Sequence, residues 1–116
     1  MTLEEMLKEA IAIGVAARDA TTAELQQQAA HAGQCHEELC GRSWITIDTH
    51  TFEKLQGLSL LGVRVDDDGD AVHPCKLYLE DVSHDHCLVA SLAGLEAAAT
   101  YLRSHGITAR QAGMLD

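Results

Sequence analysis

Residues 60–81 are the stretch around which the rest of the chain is organised. They comprise an apolar arm, Leu60-Leu61-Gly62-Val63-Arg64-Val65, an acidic tip, Asp66-Asp67-Asp68-Gly69-Asp70, and a return arm that ends Leu77-Tyr78-Leu79-Glu80-Asp81. Branched and aromatic side chains alternate along the arms, and Gly and Asp tolerate the backbone angles of a turn, so the stretch predicts a β-hairpin. Pro74 has no N–H to give to a ladder, which makes the return arm an edge strand or breaks it there.

Helical patterns flank this hairpin. Thr2 with Glu5 forms a capping box, followed by Leu3, Met6, Leu7, Ala10, Ile13, Gly14 and Ala17 at intervals of three and four, which predicts a helix to about Arg18. Asp19-Ala20 interrupts it. Thr21 with Glu24 repeats the capping box and opens a second helix along Leu25, Ala29, Ala32, His36 and Leu39, closed by Gly41, so residues 2–41 are expected to form a helical hairpin. Ser43-Trp44-Ile45-Thr46-Ile47-Asp48 alternates as a short strand, and Thr49 or Thr51 can cap a brief helix that Gly57 ends. Near the C-terminus, Leu88, Leu92, Leu95, Ala99 and Leu102 keep one seam, which favours a long helix over about 84–105 rather than a fourth strand at 87–90. Gly106 stops it, and residues 107–116 are expected to be a loosely held tail.

The expected architecture is one α+β domain over residues 1–116, with a small antiparallel sheet in residues 43–81. At 116 residues and 47% hydrophobic content, the chain can bury a core without help. Its aromatics are few and its alanines many, so helices must approach closely, and the Ala- and Leu-seamed helices are also suited to pairing two chains as a homodimer. No apolar run approaches the roughly 20 residues needed to cross a bilayer. Without an export segment ahead of Cys35, Cys40, Cys75 and Cys87, the chain reads as a cytoplasmic protein with reduced thiols.

The formal charge of −10 argues against direct nucleic-acid binding, which draws on Lys and Arg, and against anionic membrane surfaces. A helix-turn-helix reading of the N-terminus fails on the same ground, because Glu24, Glu37 and Glu38 stand where a recognition helix needs cations. Acids concentrate in the middle of the chain, where residues 43–90 hold nine against Lys54, Arg64 and Lys76.

Three places in the chain invite a metal reading. Asp66, Asp68 and Asp70 occupy the first, third and fifth positions of a helix-loop-helix calcium loop, but Ala71 replaces the turn glycine and Leu77 the bidentate glutamate. His36 and Cys40 share a helix face, and His73 and Cys75 one side of a strand, so the four together can make a tetrahedral zinc site, although neither pair has a standard ligand spacing. His36-Glu37-Glu38 with Pro74-Cys75 imitates a zinc deaminase, but Tyr78 stands where its second cysteine belongs. Gly57-Leu58-Ser59-Leu60-Leu61 lacks the closing glycine of a nucleophile elbow, and no glycine-rich phosphate loop is present. The chain is therefore read as non-enzymatic.

A small, very acidic domain without a catalytic signature, with carboxylates massed on Asp66-Asp67-Asp68-Gly69-Asp70 and Glu80-Asp81, resembles in character the inhibitors that phages deploy against CRISPR systems. The resemblance implies binding to a basic surface of a CRISPR-Cas complex or its nuclease, which blocks DNA binding or nuclease recruitment. The expected contact is Asp66, Asp67, Asp68 and Asp70, flanked by Glu80, Asp81 and Asp85. The alternative is a zinc-stabilised regulatory or adaptor domain built on His36, Cys40, His73 and Cys75.

Overall fold

The computed structural model describes residues 2–32, 41–67, 75–83 and 88–115. In chain order these form α1 (Leu3–Ala32), β1 (Gly41–Ile47), α2 (Thr49–Gln56), β2 (Val63–Asp66), β3 (Cys75–Leu79), α3 (Glu80–Ser83), α4 (Leu88–Ser104) and β4 (Ala109–Leu115). The strands make one antiparallel sheet in the order β2-β3-β1-β4, so the fold is α+β.

Alternation along the strands sends Ile45, Ile47, Cys75, Leu77, Leu79 and Ala109 to one face of the sheet. There they join Leu7 and Ala10 of α1, Leu55 of α2, Val82 of α3, and Leu95, Ala98, Ala99 and Leu102 of α4 in a single core. All four helices thus share one side of the sheet. The α4 seam read as a candidate for pairing two chains is spent within one: Leu88, Leu95, Ala99 and Leu102 are buried, and Leu92 is half-buried.

The expected hairpin forms, with Asp66 opposite Lys76 and Val63 opposite Leu79. Its return arm is not an edge strand, because β3 lies between β2 and β1 and begins at Cys75, one residue after Pro74. Glu80 and Asp81, read as the end of that arm, instead open α3.

The helical hairpin expected over 2–41 is replaced, in the described residues, by a continuous helix of about 45 Å. Only the first capping box forms, with Glu5 N–H donating to Thr2 Oγ1 at 3.2 Å and Thr2 N–H to Glu5 Oε2 at 3.3 Å. At the second, the Thr22 hydroxyl bonds back to the Arg18 carbonyl at 3.0 Å, and Asp19 accepts from the Arg18 guanidinium. Thr21 and Glu24 themselves lie inside α1, so the second box starts no helix and the chain continues through. Gly41, assigned as a helix stop, is the first residue of β1.

The tail expected over 107–116 is also corrected. Residues from Ala109 to Leu115 pair with β1 along its whole length, from Ala109 opposite Ile47 to Leu115 opposite Gly41. Gly106, at φ 82°, ends α4 as expected, with Ile107 N–H donating to Leu102 O and Gly106 N–H to Arg103 O. Arg103 then reaches forward to donate to the Ala109 carbonyl at 2.7 Å, which fixes the start of β4. The long C-terminal helix is present over Leu88–Ser104, so 88–90 are helical and not a strand, and residues 84–87 of the expected span lie outside the described residues.

The cap of α2 is Asp48, not Thr49 or Thr51: its Oδ1 accepts the Thr51 N–H at 2.8 Å. The Thr51 hydrogen bonds hold the Asp48 carboxyl below its ordinary value of 3.8, against burial, which raises it. A carboxyl that ionises below its unfolded value contributes stability above that value, and the contribution is lost as pH falls through the folded one. Asp48→Ala is therefore expected to cost about 1 kcal/mol at neutral pH. In urea titrations, the gap between Asp48→Ala and the parent should close below about pH 3.8; a gap independent of pH would refute the charged cap.

Candidate binding surfaces

The hairpin register decides what the acidic residues can do together. Asp66 and Asp67 stand at the end of β2, whereas Glu80 and Asp81 follow β3 at the opposite end of the same pair. Four residues of strand separate position 76 from position 80, or about 13 Å. The described carboxylates therefore form two clusters, one at each end of the hairpin. Asp68, Asp70 and Asp85 lie outside the described residues.

The two clusters also differ in setting. Asp66 is held by Arg64 on its own strand, with Arg64 Nη1 to Asp66 Oδ2 at 3.2 Å, while Asp67 is exposed. At the other end, Glu80 N–H donates to the Gly62 carbonyl at 2.9 Å, and Gly62, at φ 80°, brings its backbone beside the Asp81 carboxylate. Both carboxylates there are exposed, and the main chain of α3 is anchored from below: the buried Arg18 guanidinium donates through Nη1 to the carbonyls of Asp81 and Val82.

Of the zinc set, His36, Cys40 and His73 lie outside the described residues, and Cys75 is in the core, 3% exposed. Among the described residues, no group of three or more His, Cys, Asp and Glu is placed to hold a metal ion. Burial pushes the Cys75 thiol above its ordinary 9.0; hydrogen bonding with Thr49 opposes this, and the charges of Asp67 and Asp48 add to it. Since the thiolate is the metal-binding form, this environment works against a ligand role. Between the unfolded and folded values, the unfolded chain has lost the thiol proton and the folded chain retains it. Stability is therefore unaffected below about pH 9 and falls as pH rises towards the folded value. Cys75→Ala should be less stable than the parent by about 1 kcal/mol at neutral pH. The difference should shrink above pH 9, and parallel denaturation curves at both pH values would refute this.

The opposite face of the sheet carries no helix among the described residues, and it is unlike the rest of the molecule. Alternation places Arg42, Trp44 and Thr46 of β1, Arg64 and Asp66 of β2, Lys76 and Tyr78 of β3, and Arg110 of β4 there. Continuing the register of Ile45 with Leu77 sets Trp44 beside Tyr78, and their ring centroids are 6.4 Å apart at 48°. Arg64 Cζ lies 4.1 Å from the centre of the Tyr78 ring, and Lys76 Nζ lies 4.6 Å from that of Trp44. Thr46 is closed in beneath them and donates to the Arg110 carbonyl at 3.3 Å. Four of the chain's eight Lys and Arg thus occupy one face. The sequence shows only the local alternations Arg42-x-Trp44, Arg64-x-Asp66 and Lys76-x-Tyr78; strand order is what assembles them.

Among the described residues, no helix is long and apolar enough to cross a membrane. No protein-family model matches the chain, and no match was found among curated proteins or solved structures.

Proposed function

We propose that this is a non-enzymatic binding protein whose acidic surface enters a basic site on a nucleic-acid-handling protein, in the manner of phage inhibitors of CRISPR effector complexes. The observation that carries the reading is the exposure of Asp67, Glu80 and Asp81 at the two ends of a hairpin whose return strand is interior to the sheet. Carboxylates on such a support lose little conformational freedom on binding, and a net charge of −10 speeds the approach to a cationic groove. The separation of the two clusters by about 13 Å gives the surface two charged ends, so a partner must offer cations at both.

Two charge-reversed variants test this in an assay of target-DNA binding by a purified CRISPR effector: Asp67→Lys with Asp68→Lys and Asp70→Lys, and Glu80→Lys with Asp81→Lys. Inhibition is expected to weaken about thirtyfold or more in each, with melting temperature changed little, because exposed carboxylates contribute little to stability. An effector indifferent to the parent protein, or inhibition by both variants as strong as the parent's, would overturn the reading.

A further inference from the structure

The net charge of the chain conceals a division. Glu4, Glu5, Glu9 and Glu24 are exposed on α1, on the helical side of the molecule, while Arg42, Arg64, Lys76 and Arg110 share the open side of the sheet with Trp44 and Tyr78. A helical layer packs about 10 Å from a sheet, and mobile ions screen exposed charges beyond about 8 Å at physiological salt. A ligand on the open face therefore meets mainly the charge of that face.

We propose that this face binds single-stranded nucleic acid, with phosphates on the cations and unpaired bases on Trp44 and Tyr78. Antiparallel sheets that hold single strands do so by stacking two or three bases on aromatic rings of adjacent strands, and Trp44 and Tyr78 are such neighbours. The rings present their faces: Arg64 and Lys76 rest over them, 4.1 and 4.6 Å from the ring centres. A base that takes the place of either cation leaves it poised for a phosphate, so stacking and charge pairing are made together. Asp66, paired with Arg64, is the described carboxylate on this face, and phosphate competes with it for the guanidinium.

Other occupants fit less well. A second copy laid face to face would oppose like charges. An acidic peptide would use the cations but leave the ring faces unused. A duplex hides its bases, so it would gain only the phosphate contacts and none of the stacking. The proposal stands apart from the acidic-surface reading, since it rests on Trp44, Tyr78 and the cations, and Asp66 alone belongs to both sets.

The test is fluorescence anisotropy with a labelled oligo-dT of about 15 nucleotides, a duplex of equal length, and poly-glutamate as competitor. The full chain is expected to bind oligo-dT more tightly than duplex, with log affinity falling against log salt at a slope between about −2 and −3. Tyr78→Leu, which keeps an apolar side chain on the strand, should lose about tenfold, and Arg110→Glu, at an exposed position, a similar factor. Circular dichroism would establish that each variant is folded, so that either one alone suffices. Absence of oligo-dT binding, duplex binding of equal strength, or affinity unchanged in folded Tyr78→Leu would overturn the proposal. Displacement of oligo-dT by poly-glutamate at equal charge would overturn it in favour of an acidic protein partner.

Discussion

Gly94→Ala should lower stability by about 3 kcal/mol, or roughly 10 °C in melting temperature, although alanine is ordinarily the better helix former by about 1 kcal/mol. The cause is the crossing of α1 and α4. A methyl group at Gly94 would sit 2.6 Å from the Gly14 carbonyl oxygen, 2.8 Å from Val82 Cγ1 and 3.1 Å from Arg18 Cβ. The first of these is main chain in the middle of a helix and cannot turn aside, so relief requires the two helices to part. Parting them would open the contact between Leu7 and Ala10 on one side and Ala98, Ala99 and Leu102 on the other. The reciprocal change, Gly14→Ala, meets Val82 Cγ2 at 2.9 Å and the Gly94 carbonyl at 3.0 Å, a milder clash shared with a side chain, and should cost about half as much. Gly57→Ala provides the control, because nothing lies within 4 Å of its added methyl and its φ is −84°. Thermal melts of the three variants should rank Gly94 below Gly14 below Gly57, and a Gly94→Ala protein as stable as the parent would refute the close crossing.

Gly94 also shows where sequence reading reaches its limit. The seam of α4 through Leu88, Leu95, Ala99 and Leu102 was legible because it follows helical period, but that Gly94 and Gly14 meet is a fact about two helices eighty residues apart. The same holds for the capping boxes. Thr2 with Glu5 and Thr21 with Glu24 are equivalent as local signals, yet the first stands at the start of α1 and the second lies within it. Strand β4 was hidden for a different reason: its inward positions are Ala109, Gln111 and Gly113, too poor in apolar side chains to mark a buried face. Gly113 is small because Leu92 and Leu88 come within 2.9 and 3.2 Å of where its side chain would begin, so the apolar content of that contact is supplied by α4. The acidic hairpin was legible as local pattern. The division of its carboxylates between two ends, and the gathering of cations on the open face, depend on register and strand order.

That division changes how the charge of −10 should be used. As a single number it disfavours any nucleic-acid contact, and the sequence offers nothing with which to qualify it. Distributed over the fold, it leaves carboxylates on the helical side and at both ends of the hairpin, and cations with aromatic rings on the sheet face opposite the described helices. A protein arranged in this way can meet a basic groove with one side and an unpaired strand with another. The effector assay and the oligo-dT assay read those two sides separately.

Arg18→Met is expected to cost about 3 kcal/mol, and the loss should be insensitive to salt. Arg18 is 7% exposed, and Nη1 serves the carbonyls of Asp81 and Val82 in the four-residue α3. Methionine retains an unbranched apolar stem but withdraws this donor from the buried Val82 contact as well as from Asp81, and an unsatisfied buried acceptor costs about 1–3 kcal/mol. Asp19 marks the contrast: its bonds to Arg18, at 2.9 and 3.1 Å, are on the solvent side, with the carboxylate side chain 64% exposed. Asp19→Asn should therefore cost less than about 1 kcal/mol, and that smaller loss should fade with added salt. Arg18→Lys should fall between the parent and Arg18→Met, since a single ammonium cannot reproduce the two-carbonyl geometry of a planar guanidinium. Urea denaturation at low and high salt separates these cases. If Arg18→Met lay within about 0.5 kcal/mol of the parent, α3 would be held by the packing of Val82 alone, and the Asp81 end of the hairpin would not depend on α1.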